Sequence, residues 1–338
     1  MRNPAMSVEP RFPALHPGVL AIDCEAEAAR IAARMREALV SDLHRRGFVI
    51  AMSGGIDSSV CAALAVRAVG AERVRGLMLP ERDSAPESLE RAIALADQLG
   101  IRYHVEDIAP SLEALGCYAR RDEAIRAVFP GYASGWKSKI AIAGGGEGGF
   151  NYFRLVVQSP DGEQRDARLP AREYLQIVAA TNFKQRVRKM VEYYHADRLH
   201  YAVIGTPNRL EYDQGFFVKN GDGAADVKPI AHLYKTQVYM LARHLGIPGA
   251  IREAAPTTDT YSLRQGQDEF YFALPYERMD FALWAYNHRV PSDALAAFLD
   301  MAPELASFVY RDIAAKRAAT RYQHAMPILA GSVPEVGP

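Results

Sequence analysis

A chain of 338 residues can form one large α/β domain or two modest ones. Forty Lys plus Arg offset forty Asp plus Glu, which argues against a nucleic-acid binder working through bulk positive charge and leaves only a local basic patch open. No run approaches the roughly 18 apolar residues of a membrane span, and Cys24, Cys61 and Cys117 are scattered without a CxxC pair, so a reducing, cytoplasmic setting is expected.

Residues 1–20, with Pro4, Pro10, Pro13 and Pro17, read as an N-terminal arm. Residues 25–46 have helical spacing, with Ala29, Ile31, Ala32, Met35, Leu39 and Leu43 apolar. The run Phe48 to Met52 suits a buried strand, Ser53-Gly54-Gly55 breaks it, and 57–69 is an Ala- and Val-rich helix. Strand 73–79, helix 84–99 and strand 101–106 continue the alternation. That rhythm predicts an α/β fold, a parallel twisted sheet with helices on both faces. Further on, 183–195 reads as helix, 201–205 as a short strand and 233–245 as a helix stopped by Gly246 and Pro248.

The stretch 130–180 breaks the pattern and reads as an insertion with a β-hairpin, Tyr152–Gln158 and Ala167–Leu169 around Ser159-Pro160-Asp161-Gly162. Its Gly144, Gly146 and Gly149 fit GxGxxG after strand-like Lys139–Ala143. The residues that follow read as strand, and a dinucleotide fingerprint needs a helix there, so a loop is expected. The nine histidines include no HExxH, which argues against a catalytic zinc.

The sharpest local signal is Ser53-Gly54-Gly55-Ile56-Asp57-Ser58-Ser59 between a strand and a helix. Free backbone N–H groups and the helix dipole there favour an anion, and glycines let it approach closely. Asp57 would repel a phosphate unless it holds a Mg²⁺ that bridges to it. A plain helix cap is the simpler reading of Ser53 or Asp57 alone, but it does not require the whole string. No GxxxxGK[ST] occurs, which disfavours γ-phosphate transfer. The string resembles the pyrophosphate loop of the N-type ATP pyrophosphatases, which adenylate an oxygen of their substrate.

The second half narrows the resemblance. Asn182 to Arg188, Gly205-Thr206-Pro207-Asn208 to Glu211, Gly215 to Asp226, Pro229 to Thr236, Pro256 to Asp259, Gln267-Asp268-Glu269 and Tyr276 are similar, in order and spacing, to the NAD synthetase family in its form without a glutaminase domain. Taken singly, Asp222 would be a turn residue, Lys235 a solvated helix residue, and Arg186 and Arg188 an exposed face, pointing apart on a helix. Their joint occurrence carries the resemblance.

The family fold this implies is adenine nucleotide alpha hydrolase-like, a Rossmann-like sheet. The resemblance implies that Ser53, Gly54, Gly55, Asp57, Ser58, Ser59, Thr206 and Lys235 hold ATP. It implies that Asp57, Glu211 and Thr257 hold Mg²⁺, and that Arg186, Lys219, Asp222 and Asp226 meet deamido-NAD, some of them across a homodimer interface. Asp57, Glu211 and Lys235 would carry the catalysis.

The family's basic tail has two candidates, Lys316-Arg317 and Arg321 to His324. The expected organisation is an arm at 1–20, a synthetase-like domain at 21–290 and a helical C-terminal segment at 291–338. Only 47 residues precede the first strand, so ammonia is expected to be free or supplied by a partner protein. The rival readings are a same-fold ligase for another carboxylate, a tRNA-modifying adenylase and a non-catalytic nucleotide binder.

Overall fold

The computed structural model describes residues 12–143, 152–255, 261–263, 271–272 and 274–334. The glycine run at 144–149, Thr257, Gln267-Asp268-Glu269 and residues 1–11 of the expected arm lie outside the described residues.

Helix α1 (Cys24–Glu37) starts on an Asp23 cap, whose carboxylate accepts from Ala26 N at 3.0 Å. It ends sooner than its apolar spacing predicts. A π turn follows at Ala38–Asp42, and His44 turns left-handed at φ 51° before strand β1 (Phe48–Ala51). Helix α2 (Ile56–Val69), strand β2 (Val74–Met78), helix α3 (Pro86–Leu99) and strand β3 (Arg102–Val105) follow in the expected order. Helices α4 (Ala109–Ala114) and α5 (Cys117–Val128) fill a stretch with no clear sequence signal.

The insertion is a three-stranded antiparallel sheet rather than a lone hairpin: β4 (Lys137–Ala143), β5 (Tyr152–Gln158) and β6 (Gln164–Arg168), with β5 central. It ends before 180, because helix α6 already begins at Ala171 and runs to Leu199. Strand β7 (Ala202–Ile204), helix α7 (Arg209–Gln214), helix α8 (Lys235–His244) and the short α9 (Gly249–Arg252) come next. Helices α10 (Tyr276–Asn287), α11 (Ser292–Leu299) and α12 (Pro303–His324) close the described chain.

The main sheet is parallel in the order β3-β2-β1-β7. One face is covered by α1, α2, α3 and α8 through Met35, Val60, Leu64, Leu95 and Leu241. The other is covered by α4, α5 and α6 through Leu112, Tyr118, Val187 and Val191. A further apolar cluster joins Leu20 to α10–α12 through Leu283, Leu295 and Val309, so the chain before α1 is packed there.

From β1 the chain steps outward to β2 and β3, then returns to β7 on the other side of β1. The crevice at the carboxyl ends of β1 and β7 is therefore the topological switch point, where open α/β sheets bind ligands. Helix α6, with 29 residues, is about 43 Å long. Its second half packs on the sheet through Val187 and Val191, while its first half packs on the insertion through Ile177.

Candidate active site

Both loops at the switch point line one cavity of about 810 Å³. The loop after β1 and the first turn of α2 contribute Ser53 to Ser58, and the loop after β7 and the first turn of α7 contribute Gly205, Thr206, Pro207 and Glu211. Gly54 sits at φ 75°, and a Cβ there would lie 2.1 Å from the Ser88 carbonyl oxygen. Only glycine allows this turn and this contact with α3 together. The N-cap of α2 is Gly55, with no side-chain cap hydrogen bond, so the first N–H groups of α2 stay open to an anion. The Ser58 hydroxyl lies 3.2 Å from that of Ser53 and donates to Gly55 O at 3.1 Å. Ser59 is placed differently from expectation: it is buried, outside the cavity lining, and donates to Gly55 O at 2.7 Å.

Asp57 is the centre of the polar constellation. It ion-pairs with Lys235, whose side chain is 2% exposed, and accepts from Asn208 Nδ2 at 3.2 Å. Asn208 caps α7, accepting from Leu210 and Glu211 N at 3.0 and 3.3 Å, while Glu211 accepts from Asn208 N at 3.1 Å. This capping box holds the second carboxylate beside the first. Burial alone would push the Lys235 ammonium down, but Asp57 and Glu211 outweigh it and hold its pKa above the usual lysine value. Lys235 therefore stays charged against a phosphate. Asp57 and Glu211 supply two hard oxygen donors on a phosphate-loop wall, the donor type that would hold a Mg²⁺. The third expected ligand, Thr257, lies outside the described residues.

Sequence reasoning missed Asp280. Its carboxylate is fully buried on α10 and accepts from Lys235 N at 3.2 Å and Thr236 N at 2.7 Å, capping the helix that presents Lys235. Burial pushes its pKa up to about 7, against the two N–H donors. A carboxylate whose pKa is raised by folding favours the folded state most when protonated. Its contribution is full below the unfolded value of roughly 4 and fades as pH rises through about 7. In urea melts, the wild type should lose more stability between pH 5 and 8 than Asp280→Asn; parallel pH profiles would contradict this.

The far lobe carries the expected acceptor residues. Arg186, Arg188, Lys219 and Asp222 all line the same cavity, so the two arginines are not simply an exposed face. Arg186 Nε donates to Lys219 O at 3.3 Å, and Arg188 Nε to Leu79 O at 3.2 Å, so they reach opposite sides. Lys219 Nζ donates to Tyr322 O at 2.7 Å and Ala325 O at 3.3 Å, at the end of α12. Asp222 keeps its turn role, accepting from Val218 N at 2.7 Å, and burial raises its pKa. Lys189 and Glu192 join this lobe as a buried ion pair at 2.8 Å, a feature with no sequence signal.

Asp226 is placed elsewhere. It is exposed, outside the cavity lining, and accepts from Val203 N at 2.7 Å and Tyr193 OH at 3.2 Å. Of the tail candidates, Lys316, Tyr322 and Gln323 line the cavity, while Arg317 is held by Asp213 at 2.5 Å.

Beneath the first half of α6 lies a second polar group that the sequence did not announce. Lys184 pairs with Glu81 at 2.9 Å and Asp83 at 2.7 Å, Arg121 pairs with Asp83 at 2.6 Å, and Tyr118 OH donates to Glu81 at 2.8 Å. These buried groups fix the loop after β2 to α5 and α6, which sets the roof of the cavity.

The fold and this switch-point site define a class, the adenine nucleotide alpha hydrolase-like enzymes. The pattern of the NAD synthase family matches residues 28–128 and 161–327, and the chain belongs to that family. The NH(3)-dependent NAD(+) synthetase of Rhizobium meliloti is 59% identical over 318 residues, covering 94% of this chain and 95% of that protein. That of Mesorhizobium japonicum is 55% identical over 318 residues, covering 94% and 100%. Among solved structures, the NMN synthetase of Francisella tularensis superposes with a TM-score of 0.62 at 22% identity, covering 92% of this chain and all of that one, which bears on the fold alone.

Proposed function

We propose that the chain is an ammonia-dependent ligase that converts deamido-NAD to NAD, using ATP and releasing AMP and pyrophosphate. The observation that carries this is the single cavity in which the phosphate loop, Lys235, Asp57 and Glu211 share walls with Arg186, Lys219 and Asp222. The phosphate loop and Lys235 seat the triphosphate, and the far lobe orients the nicotinate carboxylate. One carboxylate oxygen attacks the α-phosphorus, forming a C–O–P link as the bond to pyrophosphate breaks. Ammonia then attacks the acyl carbon, loses a proton, and AMP departs with that oxygen. The catalytic contribution is placement and charge neutralisation at the phosphates. Mg²⁺ on Asp57 and Glu211 would supply further neutralisation of the departing pyrophosphate.

The enzyme as proposed is cytoplasmic and a homodimer. Arg186, Met190 and Tyr194 recur every four residues on α6, and Met190 and Tyr194 are 62% and 61% exposed. Tyr193, by contrast, packs on the sheet. The outward stripe thus runs from an acceptor-lobe arginine into apolar surface, as an interface that completes the acceptor pocket would require, and Asp226, exposed and bonded to Tyr193, would be among the residues contributed across it. Sedimentation as a fully active monomer would remove the dimer from the account.

The test of function is incubation of the purified chain with ATP, Mg²⁺, deamido-NAD and either ammonium or glutamine, beside a panel of other carboxylates. Ammonium should yield NAD, AMP and pyrophosphate, and glutamine alone should yield none. Preferred turnover of another acid would instead favour a same-fold ligase with a different acceptor.

A further inference from the structure

The family pattern stops at residue 128 and resumes at 161, yet Ile142, Tyr152 and Phe153 from the intervening stretch line the cavity. Every other described lining residue falls inside the matched segments. The Rhizobium meliloti relative aligns over 94% of this chain, so its alignment spans the insertion. Strands β4 and β5 of the inserted sheet therefore add a wall to a cavity whose other described lining residues all lie inside the matched segments.

That wall is held firmly. Along β5, Phe153, Leu155 and Val157 share one face by the period of two. Leu155 and Val157 are 1% and 0% exposed and pack with Ile140, Ile125 and Ile177 against α5 and α6. Phe153 continues the same face beyond this core and is half-buried at the cavity. Its ring stacks on Tyr174 of α6, with centroids 4.1 Å apart and planes 12° from parallel, and Tyr174 lines the cavity too. Two rings stacked face to face at a ligand cavity leave an outer face on which a planar heteroaromatic ring can continue the stack.

We propose that Phe153, supported by Tyr174, is a specificity-determining residue that stacks a heteroaromatic ring of one nucleotide substrate. This rests on the reaction proposed above, in which ATP carries adenine and deamido-NAD carries adenine and a pyridine ring.

Steady-state kinetics on the full chain test it, varying ATP and deamido-NAD separately in the wild type, Phe153→Leu, Phe153→Tyr and Arg165→Ala. Leucine keeps apolar bulk but removes the ring. Phe153→Leu should raise the KM of one nucleotide roughly threefold to tenfold, with kcat changed far less. Phe153→Tyr should restore it. Arg165→Ala, on the exposed strand β6 and outside the lining, should leave both KM values in place. The nucleotide whose KM moves identifies the ring. If Phe153→Leu does not fold, Tyr174→Leu reads the other half of the pair. Unchanged KM values for both nucleotides, or Phe153→Tyr as impaired as Phe153→Leu, would overturn the proposal. A wild type that forms no NAD would instead sink the assigned reaction.

Discussion

Replacing Asp57 by Asn is expected to cut pyrophosphate release by a factor on the order of 10³ while leaving a folded protein. The loss has two sources. The amide offers one neutral oxygen where the carboxylate faced a cation, and removing preorganised charge of this kind costs about 10²–10³ in rate. Lys235 also loses its nearest partner, so it is held less firmly for the phosphate. Some stability should be lost as well, because a buried ion pair is broken on one side. The usual cost of about 3–5 kcal/mol should be only partly felt, since Asn keeps the contact with Asn208 and Glu211 still faces Lys235. Near-wild-type pyrophosphate release at saturating Mg²⁺ would remove Asp57 from the mechanism.

The largest effect on stability should come from Lys184→Met. Its side chain is 1% exposed, between Glu81 at 0% and Asp83 at 7%. Methionine fills similar volume but leaves two buried carboxylates short of a cation. The expected loss is about 3–5 kcal/mol, read as a fall in melting temperature of roughly 10 °C. Arg121 remains on Asp83 and Tyr118 on Glu81, so collapse is not expected. A deficit below about 1 kcal/mol, the range of surface pairs, would mean that the loop after β2 is not anchored in this way.

What the sequence revealed and what it concealed have physical causes. The strand, glycine turn and helix at 48–69 could be read because apolar runs and glycines act locally. The same holds for the alternation through β3. Helix α6 showed only its second half because its two halves bury different faces, one on the insertion and one on the sheet, so no single stripe runs along it. Helix α5 was hidden by Arg121, a charged residue in the protein interior. Lys184, Glu192 and Asp280 were missed for the same reason, since charged side chains are rarely buried without a partner and the partners are distant in sequence.

At the site, Asp57, Glu211 and Lys235 were legible as a set because three separate motifs bring them to one crevice. The structure adds the Asn208 cap that joins them. Ser59 and Asp226 show the reverse: each belongs to a recognisable motif, yet here the Ser59 hydroxyl bonds to Gly55 O and the Asp226 carboxylate to Val203 N and the Tyr193 hydroxyl, outside the cavity lining. The wall formed by Phe153 was unreadable in advance, because nothing local tells a strand that its end will face a cavity.

In the proposed reaction an oxygen of the acceptor carboxylate attacks the α-phosphorus of ATP. Isotope transfer tests it most directly. Deamido-NAD carrying ¹⁸O in both oxygens of its nicotinate carboxylate is turned over with unlabelled ATP, Mg²⁺ and ammonium, and the products are weighed by mass spectrometry. One ¹⁸O is expected in each AMP, one in the amide of NAD, and none in pyrophosphate. Label appearing in inorganic phosphate, with ADP as the nucleotide product, would contradict it.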